Sequence, residues 1–218
     1  MSAALLLPVP VLAQRLSRPA PEAPPAAPVP TLDDLVIAVR NDNVAAVQAY
    51  LARGFDPNSV ARDGWPLIVI AARDGNLRTL DLLLGAGAKV EARNPFGDSA
   101  LMLAALQGHL DVVKRLRSRG AQVDGAGWTP LIYAATGGHS AVVGYLLAEG
   151  AQIDATGPNG TTALMMAVRE GKYDTAVLLI DRGANVTKAN DDGATALLWA
   201  ERAGDPQLVA RLRKAGAR

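Results

Sequence analysis

The chain has 218 residues, half of them hydrophobic but only 4% aromatic, with 22 basic and 21 acidic side chains and no cysteine. The missing cysteines exclude a thiol nucleophile and a zinc–thiolate site, and no apolar run approaches the ~20 residues of a membrane-spanning helix. The near-zero net charge argues against a nucleic-acid duplex as partner, because binding one favours a basic face.

Residues 1–30 differ in kind from the rest. An apolar stretch from Ala3 to Leu12 ends in Val11-Leu12-Ala13-Gln14, which resembles the end of a secretory signal peptide. Residues 1–13 are therefore read as a signal peptide cleaved after Ala13. No Lys or Arg precedes the stretch, and Pro8 and Pro10 interrupt it, features that a start codon placed downstream of the true one would account for. Residues 14–30 hold Pro19, Pro21, Pro24, Pro25, Pro28 and Pro30 interleaved with Ala, the composition of an extended, disordered tether. The expected location is the bacterial periplasm or the exterior; the alternative is a cytoplasmic or host-directed protein with an apolar tail. An absence of Cys suits an oxidising compartment.

From residue 31 onward one phrase recurs in register: Gly64-Trp-Pro-Leu-Ile-Val-Ile-Ala-Ala, Gly97-Asp-Ser-Ala-Leu-Met-Leu-Ala-Ala, Gly127-Trp-Thr-Pro-Leu-Ile-Tyr-Ala-Ala, Gly160-Thr-Thr-Ala-Leu-Met-Met-Ala-Val and Gly193-Ala-Thr-Ala-Leu-Leu-Trp-Ala-Glu. Its anchors Leu35, Ile68, Leu101, Leu131, Leu164 and Leu197 are spaced 33, 33, 30, 33 and 33 residues apart. A fixed period means stacked units, none able to bury its apolar face alone. The units are 31–63, 64–96, 97–126, 127–159, 160–192 and 193–218, one domain over residues 31–218. Each predicts a short Ala-rich helix ending near a Gly, such as Gly108 or Gly138. A second helix follows whose apolar residues recur three and four apart, as in Val142, Val143, Leu146 and Leu147. Gly-Ala then stops it, as at Gly150-Ala151, and a turn-rich stretch leads on to the next unit.

The array departs from regularity in three places. The first unit lacks the opening Gly, and in the last the second Leu of the pair becomes Arg213, as terminal units with polar outer faces require. Three residues are missing between Val123 and Gly127, and Arg117 replaces a Leu in the same unit. That junction, between the third and fourth units, is expected to be the weakest in the stack.

Helix, turn, helix, glycine cap and hairpin at this period resemble the ankyrin repeat. The family pattern is matched best by Thr129-Pro130-Leu131 through Gly138-His139, then Val142-Val143, Leu146-Leu147 and Gly150-Ala151. The resemblance implies an all-α solenoid of helix-turn-helix units with short hairpin or loop fingers. It also implies a protein-binding role, with partners held by finger tips and the exposed end of each first helix. Carried onto this sequence, those positions include Arg62, Asp63, Trp65, Phe96, Asp98 and Trp128 on the fingers and Arg73, Leu106, Gln107, Arg169 and Glu170 on the first helices. Trp65, Phe96 and Trp128 stand out as large rings where small or polar residues are usual, and with Leu106 they are the candidate centre of a binding face. A second stripe, Ile70, Leu103, Tyr133, Met166 and Trp199, sits just before the first Ala of five units and is read as framework.

Little points to catalysis. His109 and His139 follow Gly108 and Gly138 at one repeat position, where the family places a helix-starting His. Equivalent positions in adjacent units lie about one helix diameter apart, ~10 Å, too far to share a zinc ion. Asp33-Asp34 suits the first turn of a helix and Asp191-Asp192 a turn. The sequence thus reads as a non-catalytic binding module, without cofactor or metal, that acts as adaptor, protector or inhibitor of a protein partner. Monomer is the default for a capped array. An accessory protein with a small-molecule or metal site is the alternative from another class.

Overall fold

The computed structural model describes residues 30–218; the signal-peptide reading of residues 1–13 and nearly all of the tether lie outside them. Among the described residues the secondary structure is helical, in six consecutive pairs. These are α1 (Leu32–Arg40) with α2 (Val44–Ala52), α3 (Leu67–Arg73) with α4 (Leu77–Gly85), and α5 (Ala100–Gln107) with α6 (Leu110–Ser118). They continue as α7 (Pro130–Gly137) with α8 (Ser140–Ala148), α9 (Ala163–Arg169) with α10 (Tyr173–Asp181), and α11 (Ala196–Ala203) with α12 (Pro206–Lys214). The first helix of each pair packs on the first helix of the next, and second helices do likewise, so the stack has two layers.

Local chemistry explains where each first helix begins. The hydroxyls of Thr31, Ser99, Thr129, Thr162 and Thr195 each accept a hydrogen bond from the backbone N–H three residues on, satisfying a donor the helix leaves free. In the second unit Pro66 takes that place and no side chain caps α3. At the other end of α5 the chain turns through Gly108 at φ +77, a left-handed conformation that an L side chain disfavours.

The core runs the length of the stack. Leu35, Ile68, Leu101, Leu131, Leu164 and Leu197 are at most 5% exposed, each filling the same place in its unit. Hydrogen bonds tie the units together at a second recurrent position. The side chains of Asn58, Glu91, Asp124 and Asp154 accept from the backbone N–H of Lys89, Gln122, Gln152 and Asn185 in the following unit, at 2.8, 2.8, 3.0 and 2.9 Å.

Four of the five fingers are closed by single antiparallel bridges: Val60–Pro66, Arg93–Ser99, Thr156–Thr162 and Ala189–Thr195. The fifth, shortened by three residues before Gly127, has none among the described residues. The expectation that this junction is the weakest divides between the two layers. The α5–α7 contact is the most extensive between any two helices, while that between α6 and α8 is the sparsest in the outer layer. Gly137 is the reason, because a Cβ there would lie 2.4 Å from the Leu106 carbonyl oxygen. Its absence lets the two Ala-rich backbones touch. Arg117, buried to 19% side-chain exposure, donates to the Ala121 carbonyl and reaches Glu149 of the next unit at 3.3 Å. The lost leucine is thus replaced by an ion pair across the junction.

A candidate protein-interaction surface

The finger between the second and third units shows how a tip is built. Asn94 is buried to 5% exposure, and its Oδ1 accepts from the backbone N–H of both Phe96 and Asp98 at 2.9 Å. Its Nδ2 donates to Asp98 at 3.0 Å. This buried amide fixes the turn and leaves Phe96 outside it, 79% exposed. Trp65 and Trp128 behave differently. Trp65 is half-buried beneath Arg73, whose guanidinium carbon lies 4.8 Å from the ring centre. Trp128 lies half-buried against the backbone of Gly157, where a Cβ would come within 3.1 Å of the indole. None of the three rings contacts another aromatic ring; the described aromatic pair is Tyr50–Phe55.

Trp128 and Leu106 do meet. With Ile132, Tyr133, Thr136 and Met166 they line an open cleft of about 210 Å³ across the first helices of the third, fourth and fifth units. Its two hydroxyl groups are already engaged. Thr136 Oγ1 donates to the Ile132 carbonyl at 2.8 Å, and the Tyr133 hydroxyl donates to Asp98. Burial, and then the Asp98 carboxylate beside it, push the Tyr133 phenol well above the usual tyrosine range. What remains for a visitor is apolar wall.

The polar candidates are more dispersed. Arg62 pairs with Asp33, and Asp63 pairs with Arg40 at 3.2 Å while accepting from the Trp65 N–H at 3.2 Å. Arg73 pairs with Asp74 at 2.7 Å. Arg169 and Glu170 approach to 3.5 Å, and Gln107 is exposed at the end of α5. The structure therefore gathers Leu106 and Trp128 into one cleft and Trp65 with Arg73 into a stack. Phe96, Arg62, Gln107 and Glu170 stand outside both.

Several cleft residues had been read from the sequence as framework only. Ile70, Leu103 and Met166 are buried, at 0%, 5% and 7% exposure, as that reading expects. Tyr133 and Trp199, at the same repeat position, are only half-buried. Both rings pack against the core while remaining partly exposed, so they serve framework and surface at once. Size at a framework position was the available signal. Trp199 walls a second opening with Arg169, Arg202 and Ala203, of about 340 Å³.

The histidines hold the stack together. His109 Nε2–H donates to the Arg73 carbonyl at 3.1 Å and His139 Nε2–H to the Leu106 carbonyl at 2.9 Å, each reaching back one unit. Asp34 belongs to a capping box with Thr31, whose N–H and hydroxyl both donate to it at 2.8 Å. Those hydrogen bonds hold its carboxyl below the usual range. Asp191 and Asp192 lie in a finger turn, the Asp192 N–H donating to Asn190 Oδ1 at 3.2 Å.

The sequence matches the family described as "Ankyrin repeats (3 copies)" in overlapping segments, 35–125, 68–157, 122–190 and 153–218. No curated protein matches it significantly. Among solved structures, the human ASB11 ankyrin repeat domain is similar at a TM-score of 0.79 and 25% identity, with 84% of each chain covered. An ankyrin repeat domain from Acinetobacter baumannii AYE is similar at a TM-score of 0.73 and 31% identity, covering 84% of this chain and 98% of that one. Recurrent phrase, two-layered stack and matched segments agree: the chain belongs to the ankyrin repeat family, whose arrays are generally protein–protein interaction modules on a typically non-catalytic scaffold.

Proposed function

We propose that the protein binds another protein through the surface formed by its first helices and fingers, and that it adapts, protects or inhibits that partner. The observation that carries this reading is the apolar cleft of Leu106, Trp128 and Tyr133, whose hydroxyl groups are already engaged. An open, largely apolar wall gains from covering by an apolar side chain, and Trp at such a place is a frequent centre of binding energy. Exposed Phe96 nearby in sequence adds apolar area that folding leaves uncovered.

The proposed compartment is the bacterial periplasm. The support is the signal-like sequence ending at Ala13, the lack of cysteine and the bacterial origin of one similar structure. Intact mass of the protein recovered from its host tests it: a mature chain beginning at Gln14 supports export, and retention of residues 1–13 opposes it.

Binding is tested by quantitative affinity capture from the host, comparing the native chain with a Trp65→Ala, Phe96→Ala, Trp128→Ala variant whose helical spectrum and melting show it folded. A protein enriched by the native chain and lost with the variant is the expected result. A partner retained by both would move the site elsewhere on the array.

A further inference from the structure

One position in the last turn of every first helix forms a ladder across the exposed face: Arg40, Arg73, Leu106, Thr136, Arg169 and Arg202. Cations there are favourable to the helix dipole. Their partners differ between the two ends. On the N-terminal side the charge is spent within the chain: Arg40 is 3.2 Å from Asp63, and Arg73, over the Trp65 ring, makes 2.7 and 3.3 Å hydrogen bonds to Asp74. On the C-terminal side it is less so. Arg169, its side chain 59% exposed, pairs with the adjacent Glu170 at 3.5 Å, and Arg202 is exposed with no ion pair among the described residues. The nearby Glu201 is held instead by Arg213 at 2.8 Å.

Trp199 lines one opening together with these two arginines. The apolar cleft adjoins them, since Met166 lines it from the same helix as Arg169, one turn earlier. Resting on the interaction reading above, we infer that the partner presents an extended acidic segment. An apolar side chain enters the cleft at Trp128 and Leu106, and a carboxylate is received by Arg169 and Arg202. The size of the cleft, about 210 Å³, suits one large side chain rather than a helix face. The cleft is centred on the fourth unit and the arginine pair straddles the fifth and sixth, about one and a half helix diameters on, ~15 Å, which an extended chain covers in about four to five residues at ~3.3 Å each. The recognised pattern is therefore an apolar residue and an Asp or Glu about four to five positions apart. Guanidinium groups suit this role because they offer forked donors to a carboxylate.

Selection of a random linear peptide library displayed on phage against the full chain tests the inference. The expected result is enrichment of Leu, Ile, Met or Phe about four to five residues from Asp or Glu. Binding of an enriched synthetic peptide, read by fluorescence anisotropy, should weaken with salt. It should also weaken about tenfold or more with Arg169→Glu, Arg202→Glu together, and similarly with Trp128→Ala. Both arginines are exposed, so the charge reversal leaves the core intact and serves as a control should Trp128→Ala loosen the stack. Enrichment of neutral or basic peptides, no enrichment at all, or indifference to the charge reversal would overturn the inference. A host partner lost with Trp128→Ala but retained by the charge-reversed variant would do so too, while leaving the interaction reading standing.

Discussion

At the scale of single residues, two side chains show how framework and surface share the same atoms. Asn94 spends its whole amide on the turn that presents Phe96, so the exposed ring is maintained by a buried polar group. Tyr133 closes the cleft and donates to Asp98 across a unit boundary. Its phenol is held un-ionised above the ordinary value of 10. Since the folded chain keeps this proton where the unfolded chain releases it, the stability it contributes is complete below pH ~10 and falls as pH rises toward the folded value. A spectrophotometric titration near 295 nm should show two of the four tyrosines ionising above the ordinary range, Tyr145 and, last of all, Tyr133, and Tyr133→Phe should remove the last component. A titration unchanged by the substitution would show that the phenol is not constrained in this way.

At the scale of elements, what matters is how closely the first helices approach. Gly137 and Gly144 make a controlled pair in the same unit. A Cβ at Gly137 would strike the Leu106 carbonyl oxygen at 2.4 Å, whereas one at Gly144 on α8 would meet nothing within 4 Å. Gly137→Ala should therefore cost about 1–3 kcal/mol by forcing α5 and α7 apart. Gly144→Ala should stabilise by up to about 1 kcal/mol through helix propensity and a less flexible unfolded chain. Urea unfolding of both variants decides this, and equal effects would refute the packing argument. Leu103, 5% exposed on α5, belongs to the framework stripe. Leu103→Ala should cost about 2–5 kcal/mol in the same assay, because a buried leucine leaves a cavity that its neighbours only partly fill.

For the molecule as a whole, a stack with only neighbour-to-neighbour contacts depends on its ends. The last helix buries Leu208 and Leu212 and turns Arg211, Arg213 and Lys214 outward, with Arg211 paired to Asp181 and Arg213 to Glu201. Removing residues 193–218 would uncover α9 and α10, which α11 and α12 cover. Such a truncated chain should melt about 5–10 °C lower, at roughly 2–4 °C per kcal/mol for a chain of this size, and scatter light on heating. An unchanged melting temperature would show that five units already suffice.

The repeat period, the helix pairs, the caps and the buried anchors were all legible in the residues, because each arises from local spacing and from chemistry that recurs in every unit. The same regularity identified Trp65, Phe96 and Trp128 as departures. It could not say what each ring would do. That depended on how side chains meet in space: Arg73 folding over Trp65, Gly157 receiving Trp128 from the opposite end of the same unit, and Asn94 holding Phe96 outward. The inner layer of the third junction shows the same limit. Missing residues and a lost leucine are visible in one dimension, but the fit of Gly137 against Leu106 exists only once two helices lie side by side. Whether an arginine is free or already paired is decided in the same way, because electrostatic partnership is a matter of distance in space and not along the chain.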